Sequence, residues 1–186
     1  LRSPPVFVIG HWRSGTTYLQ NLLLCDPQFA HLDLVDATFP HLMMTSDILM
    51  RKCMRPLIPA TRPMDNMLMS DRAPQEHEFA LTNLCLLSPL TSLLFPRNRD
   101  RYMRYCSFDE ADDVERRTWQ TALTGLLQKL TLKYGGRRLA LKNPLDTFRV
   151  PLLRALFAGA KFVHVVRNPY EVFYSTVKLH RTNTRL

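Results

Sequence analysis

The stretch Val6-Phe-Val-Ile-Gly-His-Trp-Arg-Ser-Gly-Thr-Thr17 decides the fold. Residues 6–9 form a short continuous apolar run, which is typical of a strand buried on both faces. Two glycines follow with the G-x-x-x-x-G spacing of a phosphate-binding loop. From Thr16 onward, leucines recur at helical spacing until Asp26-Pro27 stops the pattern. The sequence therefore predicts a strand, a loop and a helix in direct succession.

The chemistry of this loop indicates an anionic ligand. Its backbone amides and the positive end of the following helix both favour phosphate oxygens. In a nucleoside triphosphatase a lysine follows the second glycine, whereas here Thr16 follows Gly15, so the usual cation for the terminal phosphates is missing. Arg13 can supply positive charge from inside the loop instead. We expect a nucleotide with a different terminal group, and a ligand-free turn is the alternative.

These residues resemble the loop of the sulfotransferase superfamily that binds 3′-phosphoadenosine 5′-phosphosulfate (PAPS). The similarity covers Phe7–Leu24 and is greatest to the branch with arginine in the loop, which includes bacterial sulfotransferases and, more distantly, protein-tyrosine sulfotransferases. The resemblance implies in-line transfer of sulfonate from PAPS to a hydroxyl or amine, with adenosine 3′,5′-bisphosphate as product. It also implies that the 5′-phosphosulfate is contacted by Arg13, Ser14, Gly15, Thr16, Thr17 and Tyr18.

A second segment, Phe162–Ser175, resembles the 3′-phosphate site of the same superfamily. By that resemblance Arg167 and Ser175, eight residues apart, bind the ribose 3′-phosphate. Local physics predicts a helix that starts directly after Arg167, because Asn168-Pro169 suits the N-cap and first helical positions and Glu171 suits the third. Taken alone, the segment is better interpreted as a surface arginine followed by a serine at a neutral helix position. Together with the loop it indicates a nucleotide phosphorylated at both ends.

Further strands are predicted at 139–142 and 162–166, with an apolar helical stretch at 150–157 between them. Such βαβ crossovers produce a parallel sheet, so we expect a three-layer α/β/α fold like that of P-loop NTPases, with ligands at the carboxyl ends of the strands. We interpret residues 1–186 as a single sulfotransferase domain. It is expected to lack its C-terminal part, because the superfamily's later glycine-rich basic segment has no counterpart before Leu186.

The catalytic prediction centres on Lys142. Leu141-Lys142-Asn143 resembles a superfamily Leu-Lys-Ser segment, whose lysine stabilises the bridging oxygen of the donor, and Arg13 would be the second charge. An exposed lysine at a strand end is the alternative. A hydroxyl acceptor also needs a base, for which the sequence offers Glu76, His77 and Glu78, unless these residues form only a solvated helix start.

Three other aspartates are weaker candidates. Asp146 occupies a position where related sequences often carry histidine, and Asp33 and Asp36 fall near the place of a glutamate in the tyrosine-sulfating branch. The histidines show no H-x-x-x-H pattern and the cysteines no C-x-x-C pair, so we expect no metal.

Two segments concern packing or the acceptor. Ser107 and Glu110 predict a capping box that opens a long amphipathic helix ending at Gly135. Seven of the eight methionines lie between Met43 and Met69, where they would line an acceptor pocket or lid, or simply fill the core.

The net charge of +9 predicts attraction to anionic partners. Four arginines between Arg97 and Arg104 lie near two tyrosines, as in single-stranded nucleic-acid sites, or form a solvated turn. No nucleic-acid fold signature accompanies them, so no nucleic acid is expected as a partner. The expected acceptor is a small molecule, lipid or glycan. A nucleotide kinase and a non-enzymatic polyanion-binding module are the rival functions. No stretch predicts a membrane span or signal peptide, which favours the cytoplasm, and nothing indicates the oligomeric state.

Overall fold

Four parallel strands form the centre of the molecule in the computed structural model, which describes residues 1–62 and 67–183. In chain order they are β1 (Val6–Ile9), β2 (Phe29–Ala30), β3 (Arg138–Lys142) and β4 (Lys161–His164). Their order in the sheet is β2-β3-β1-β4, so β1 is a central strand. Val6 lies opposite Ala140 on one side and Lys161 on the other. The predicted α/β class with a central parallel sheet is confirmed.

Helices surround the sheet, most of them inserted between β2 and β3. The α-helices are α1 (Thr16–Leu23), α2 (Leu34–Thr38), α3 (Asp47–Met54), α4 (His77–Cys85), α5 (Thr91–Leu94), α6 (Arg99–Met103), α7 (Asp113–Lys133), α8 (Val150–Leu156) and α9 (Pro169–Asn183). Short 3₁₀ helices span Arg55–Leu57, Pro96–Asn98 and Pro144–Phe148. None of the helices within these described ranges combines the length and apolar character that crossing a membrane requires.

β1 is buried on both faces, as its apolar run predicts, with Phe7 and Val8 fully inaccessible. The helix that follows is also confirmed, but its leucines do not mark its buried face. Leu22 is 51% exposed, whereas Gln20 is fully buried and donates from Nε2 to the Ala140 carbonyl at 3.1 Å. The periodicity located the helix, and a polar contact to the neighbouring strand set its orientation.

The long helix α7 supplies much of the core but begins later than predicted. Its N-cap is Asp112, whose side chain accepts from the Glu115 amide at 2.8 Å, while Glu115 accepts in return from the Asp112 amide at 3.2 Å. The capping box predicted at Ser107 and Glu110 was therefore wrong. The chain turns at Phe108, which has a φ of +66°, and Asp112-x-x-Glu115 offers the same motif after that turn. The buried face comprises Trp119, Leu123, Leu126, Leu127 and Leu130.

The predicted crossover from β3 to β4 is present, but it passes over β1, which lies between the two strands. The 3₁₀ helix Pro144–Phe148 and α8 form this connection. β4 ends at His164 instead of Val166, although the Val165 amide still donates to the Ile9 carbonyl of β1 at 2.9 Å. The prediction missed β2, whose two residues are too short to leave a periodic signal.

The methionine-rich segment contains both buried and exposed methionines. Met43 is buried in the core, whereas Met44 is exposed on an open groove of about 660 Å³ that continues along α3 to Lys52. Pro63 and Met64 of this segment lie outside the described residues. Its role in acceptor binding stays a prediction.

Candidate donor and transfer site

The loop from Gly10 to Thr17 connects β1 to α1 and is shaped by its glycines. Gly10 has a φ of +136°, and a Cβ there would lie 2.5 Å from the Val165 carbonyl oxygen, so only glycine fits. Its amide donates to the Thr147 hydroxyl at 2.9 Å. Gly15, with a φ of +103°, is the N-cap of α1. The loop therefore approaches the backbone after β4 too closely for any side chain.

Inside the loop, Arg13 adopts a left-handed backbone conformation with a φ of +69°. This conformation is uncommon for a residue with a Cβ and recurs at ligand sites. The Ser14 hydroxyl donates to the His11 carbonyl at 2.7 Å, which closes the turn. The first amides of α1, at Thr16 and Thr17, have no carbonyl partner within their helix, so they are suited to an anion.

The two segments that resemble nucleotide-binding elements lie together. Arg13 Nε donates to the Ser175 hydroxyl at 2.9 Å, and Arg167 Nη1 donates to the Arg13 carbonyl at 3.3 Å. Arg167 also pairs with Glu171, its Nε donating to the carboxylate at 2.8 Å, and remains about half exposed. Asn168 accepts from the Tyr170 amide at 2.9 Å, as expected for the cap of α9. Glu171 thus contacts Arg167 at the start of the helix.

Lys142 lies at the carboxyl end of β3, beside β1. Its residue exposure is 4%, so it is not the exposed strand-end lysine of the alternative interpretation. Nζ donates to Glu76 Oε1 at 2.6 Å. Glu76 precedes α4 and keeps 16% of its side chain exposed, which leaves this ion pair at the boundary between core and solvent.

The three predicted base candidates separate in space. His77 and Glu78 are fully buried, while Glu76 is reachable from solvent. His77 Nε2 lies 3.0 Å from Asp146 Oδ2, and its ring meets Phe7 of β1 edge-on. The alternative of a solvated helix start is excluded for His77 and Glu78.

Glu78 is the centre of a buried polar cluster beneath Lys142. Its carboxylate accepts from Arg149 Nη1 at 2.6 Å and Nη2 at 3.1 Å, from the Ser88 hydroxyl at 2.6 Å and from Asn143 Nδ2 at 2.9 Å. Burial alone would raise the pKa of Glu78, but the Arg149 guanidinium outweighs it and holds that pKa below its ordinary value. Glu78 is therefore an ionised, fully bonded carboxylate with no path to solvent.

Sequence reasoning missed Asn143, Thr147 and Arg149, which link this cluster to the loop. All three follow Lys142 closely, in or beside the 3₁₀ helix Pro144–Phe148. The available signal was Asn143-Pro144, because Asn followed by Pro is typical of an N-cap and first helical position. Asn143 Oδ1 indeed accepts from the Leu145 amide at 3.2 Å. Nothing local indicated that Arg149 would be buried.

Asp33 and Asp36 lie in a different cluster, between α2, α3 and α7. Arg51 Nη2 donates to Asp33 at 2.7 Å, and Lys133 Nζ donates to both oxygens of Asp36 at 2.7 and 2.9 Å. Burial raises the pKa of Asp36 to about 6 in spite of these cations. The described residues contain no group of histidine, cysteine or acidic side chains arranged to hold a metal ion.

Similarity to known proteins extends over nearly the whole chain. A sequence profile described as "Sulfotransferase family" matches residues 4–186. Omega-hydroxy-beta-dihydromenaquinone-9 sulfotransferase Stf3, from Mycobacterium bovis and from Mycobacterium tuberculosis, is 34% identical over 192 residues, which cover 100% of this chain and 47% of the relative. The chain thus spans about half the length of the curated relatives it matches.

Two crystal structures share the fold. Sulfotransferase STF1 from Mycobacterium tuberculosis H37Rv has a TM-score of 0.61 at 24% identity and covers 89% of this chain and 46% of its own. Sulfotransferase STF9 from Mycobacterium avium has a TM-score of 0.66 at 22% identity, over 98% of this chain and 47% of its own. On the profile match, which includes nearly every residue, the chain belongs to the Sulfotransferase family.

Proposed function

We propose that this chain carries the donor site and the transfer site of an enzyme that moves sulfonate from PAPS to a hydroxyl group. The observation that carries the proposal is the 2.9 Å hydrogen bond from Arg13 to Ser175. It joins two elements that are far apart in the sequence and that resemble the two phosphate-binding segments of one nucleotide. A single nucleotide with phosphates at its 5′ and 3′ positions suits that pair.

For the donor, we assign the 5′-phosphosulfate to the loop and the first turn of α1. Arg13, Ser14, Gly15, Thr16, Thr17 and Tyr18 form this group. Arg167 and Ser175 receive the 3′-phosphate. Arginine offers phosphate two parallel charge-assisted hydrogen bonds, and the half-exposed guanidinium of Arg167 can exchange its contact with Glu171 for them.

For the transfer step, we assign Lys142 and Glu76. The acceptor oxygen attacks sulfur in line, its bond to sulfur forms, and the bond from sulfur to the bridging oxygen breaks. The acceptor proton passes to the Glu76 carboxylate, and the electron pair stays on the leaving adenosine 3′,5′-bisphosphate. The Lys142 ammonium stabilises that developing charge. Their 2.6 Å contact holds both groups at one point before substrate arrives.

Within the acidic cluster, the assignment favours Glu76 over His77 and Glu78. A general base must come within hydrogen-bond reach of the acceptor. Both oxygens of Glu78 are already used by buried donors, and His77 is enclosed between Asp146 and Phe7. Glu76 alone among the three combines a carboxylate with solvent access.

For the acceptor, we propose the terminal hydroxyl of an isoprenoid or similarly apolar lipid. The support is the relative Stf3, whose name specifies an omega-hydroxylated menaquinone as its acceptor. The acidic base position and the absence of lysine from the phosphate loop argue against the rival nucleotide kinase, which would transfer phosphate from a magnesium-bound triphosphate.

The test is calorimetry of this chain with adenosine 3′,5′-bisphosphate, 5′-AMP and ATP. Arg167→Ala should weaken adenosine 3′,5′-bisphosphate by about tenfold to a hundredfold and leave 5′-AMP nearly unchanged, because AMP lacks the recognised group. Ser175→Ala should do the same more weakly, since a hydroxyl is a neutral donor. Arg154→Ala, on the exposed face of α8, is the matched control.

Equal losses for both nucleotides in the Arg167 variant would contradict the assignment of the 3′-phosphate. A chelator should have no effect on nucleotide binding, because the loop lacks the lysine that is typical of sites for magnesium-bound triphosphates. Loss of binding on chelation would favour the kinase, and salt-sensitive binding without preference among the nucleotides would favour a polyanion-binding module.

A further inference from the structure

In residues 86–95 two polar side chains are buried, while the three apolar side chains at the end of the segment are exposed. Ser88 and Thr91 are buried, with the Thr91 hydroxyl donating to the Leu86 carbonyl at 2.9 Å. By contrast, Leu93, Leu94 and Phe95 are 76%, 69% and 51% exposed. An ordinary solvent-facing helix shows the opposite arrangement. We call residues 93–95 the apolar ridge.

The apolar ridge contacts the rest of the fold through Phe95. The Phe95 ring lies 6.3 Å from the ring of Tyr102, which packs against the hydrophobic core. The Ser92 hydroxyl donates to the Pro89 carbonyl at 2.7 Å, so the polar groups of this turn are satisfied internally. Contact of these apolar side chains with water is therefore unfavourable, and their burial against a hydrocarbon partner would be favourable.

Exposed arginines follow the ridge directly. Arg97, Arg99 and Arg101 lie on the 3₁₀ helix Pro96–Asn98 and on α6, all with exposed side chains, and Asp100 is the one carboxylate among them. Within the described residues none of the three forms an ion pair, whereas the nearby Arg104 is bound to Glu115. The edge of the ridge thus carries net positive charge that is not neutralised by the protein.

Apolar side chains bordered by unpaired arginines match the chemistry of an anionic bilayer surface. The leucines and the phenylalanine can insert among the hydrocarbon chains, and the guanidinium groups can bind the anionic headgroups. An anionic polymer would use the arginines and leave the ridge in water. We propose that residues 93–101 form a membrane-docking surface, which attaches the protein to anionic lipid bilayers without spanning them. This docking stands or falls independently of nucleotide binding.

Vesicle sedimentation tests the docking surface. Vesicles of phosphatidylcholine and phosphatidylglycerol in a two-to-one ratio should bind the chain. Replacing Leu93, Leu94 and Phe95 by serine should lower the partition coefficient at least about tenfold, because the inserted apolar area is lost. The control replaces Leu57, Val114 and Leu132 by serine; these are 76%, 66% and 73% exposed, so the apolar loss is comparable and lies elsewhere.

The charge component has its own variants. Changing Arg97, Arg99 and Arg101 to glutamine should weaken binding to the anionic vesicles by about a hundredfold, or roughly fivefold per arginine, and should not matter with pure phosphatidylcholine. Arg72, Arg117 and Arg154, all exposed, provide the matched control triple. Equal losses in both triples would show attraction through net charge alone and would overturn the proposal.

Insertion is measured directly with a tryptophan reporter. Leu93→Trp should be quenched by vesicles with brominated acyl chains, while Leu132→Trp, at nearly the same exposure, should not. The alternative outcome is that the chain does not bind the vesicles, that the parent chain is a dimer in ultracentrifugation, and that the serine variant of the ridge is a monomer. In that case the ridge is an interface between two copies of the chain. Either that result or equal quenching of the two reporters would refute the docking surface.

Discussion

Lys142 and Glu76 are the residues on which the proposed chemistry depends, and Lys142 is unusually buried for a lysine. A lysine with 4% exposure loses hydration, and its 2.6 Å contact with a single carboxylate does not replace all of it. The incoming bridging oxygen of the donor would complete the coordination of the ammonium. In the proposed mechanism, that contact would stabilise the transition state more than the ground state, which is the condition for catalysis.

Lys142→Ala should therefore lower turnover of the sulfotransferase containing this chain by about a hundredfold or more, with donor affinity nearly unchanged. Single-turnover kinetics separates the two effects. Lys161→Ala removes an exposed lysine from β4 and should leave both quantities at their parent values. Unchanged turnover in the Lys142 variant would remove this residue from the mechanism.

At the residue level the sequence identified chemistry but not exposure. Lys142 was predicted from the resemblance of its segment to a superfamily Leu-Lys-Ser segment, and the residues after Pro74 were predicted as candidates for the base that a hydroxyl acceptor needs. Which of Glu76, His77 and Glu78 faces solvent depends on where α4 begins, since consecutive helical residues point about 100° apart. A shift of one residue in the start of α4 would change which of the three side chains faces solvent. Sequence patterns locate helix ends only to within about one or two residues.

The connection between β3 and β4 acts as a brace for the site. Asn143 donates to both Glu78 and Asp146, and Arg149 donates to Glu78 and to the Tyr105 carbonyl at 2.6 Å. Thr147, between them, accepts from the Gly10 amide of the phosphate loop. A single short 3₁₀ helix thus fixes α4, the loop and residues 105–106 relative to Lys142.

Arg149→Met should destabilise the fold by about 3–5 kcal/mol, because it leaves Glu78 buried and ionised without its cation. Urea unfolding measures the change. Arg154→Met, five residues later on the exposed face of α8, should change stability by less than about 0.5 kcal/mol. The double change Arg149→Met with Glu78→Gln should recover part of the loss, and no recovery would show that charge is not the cause.

The elements themselves were largely predictable, but their buried faces were not. The strand, loop and helix at 6–23 and the helix after Arg167 agree with their local patterns. Gln20, and not the leucines, marks the buried face of α1, because its side-chain amide donates to a backbone carbonyl of β3. That contact depends on tertiary structure and leaves no local sequence pattern. The same holds for Arg149, whose hydrogen-bond partners come from two distant segments, α4 and residues 105–106.

Across the whole molecule, the cluster around Asp36 ties the helical layer together. Arg51 and Lys133 connect α3 and α7 to the aspartates of α2 and its cap, and Asp47 and Asp71 complete the cluster. Burial nevertheless raises the pKa of Asp36 to about 6, from an ordinary value of 3.8. The folded state therefore binds this proton more tightly than the unfolded state does.

A raised carboxyl pKa contributes stability at low pH that is lost as the pH rises through 6. Relative to Asp36→Asn, the parent chain should lose about 2 kcal/mol of unfolding free energy between pH 4 and pH 7. Guanidinium melts of both proteins across this range provide the measurement. A difference that stays flat, or that grows in favour of the parent chain, would contradict the raised pKa.

The place of β1 in the sheet has a consequence for biosynthesis. β1 is translated before the other three strands. Its residue Val6 pairs with Ala140 and Lys161, and the phosphate loop reaches its final shape only after Thr147 and Val165 have been translated. Contacts so distant in sequence form slowly. During translation, the four apolar residues of β1 have no partner strand while the helical segments are synthesised. A nascent chain with such exposed apolar residues is prone to aggregation. The nascent chain is therefore expected to depend on chaperones until β4 has left the exit tunnel.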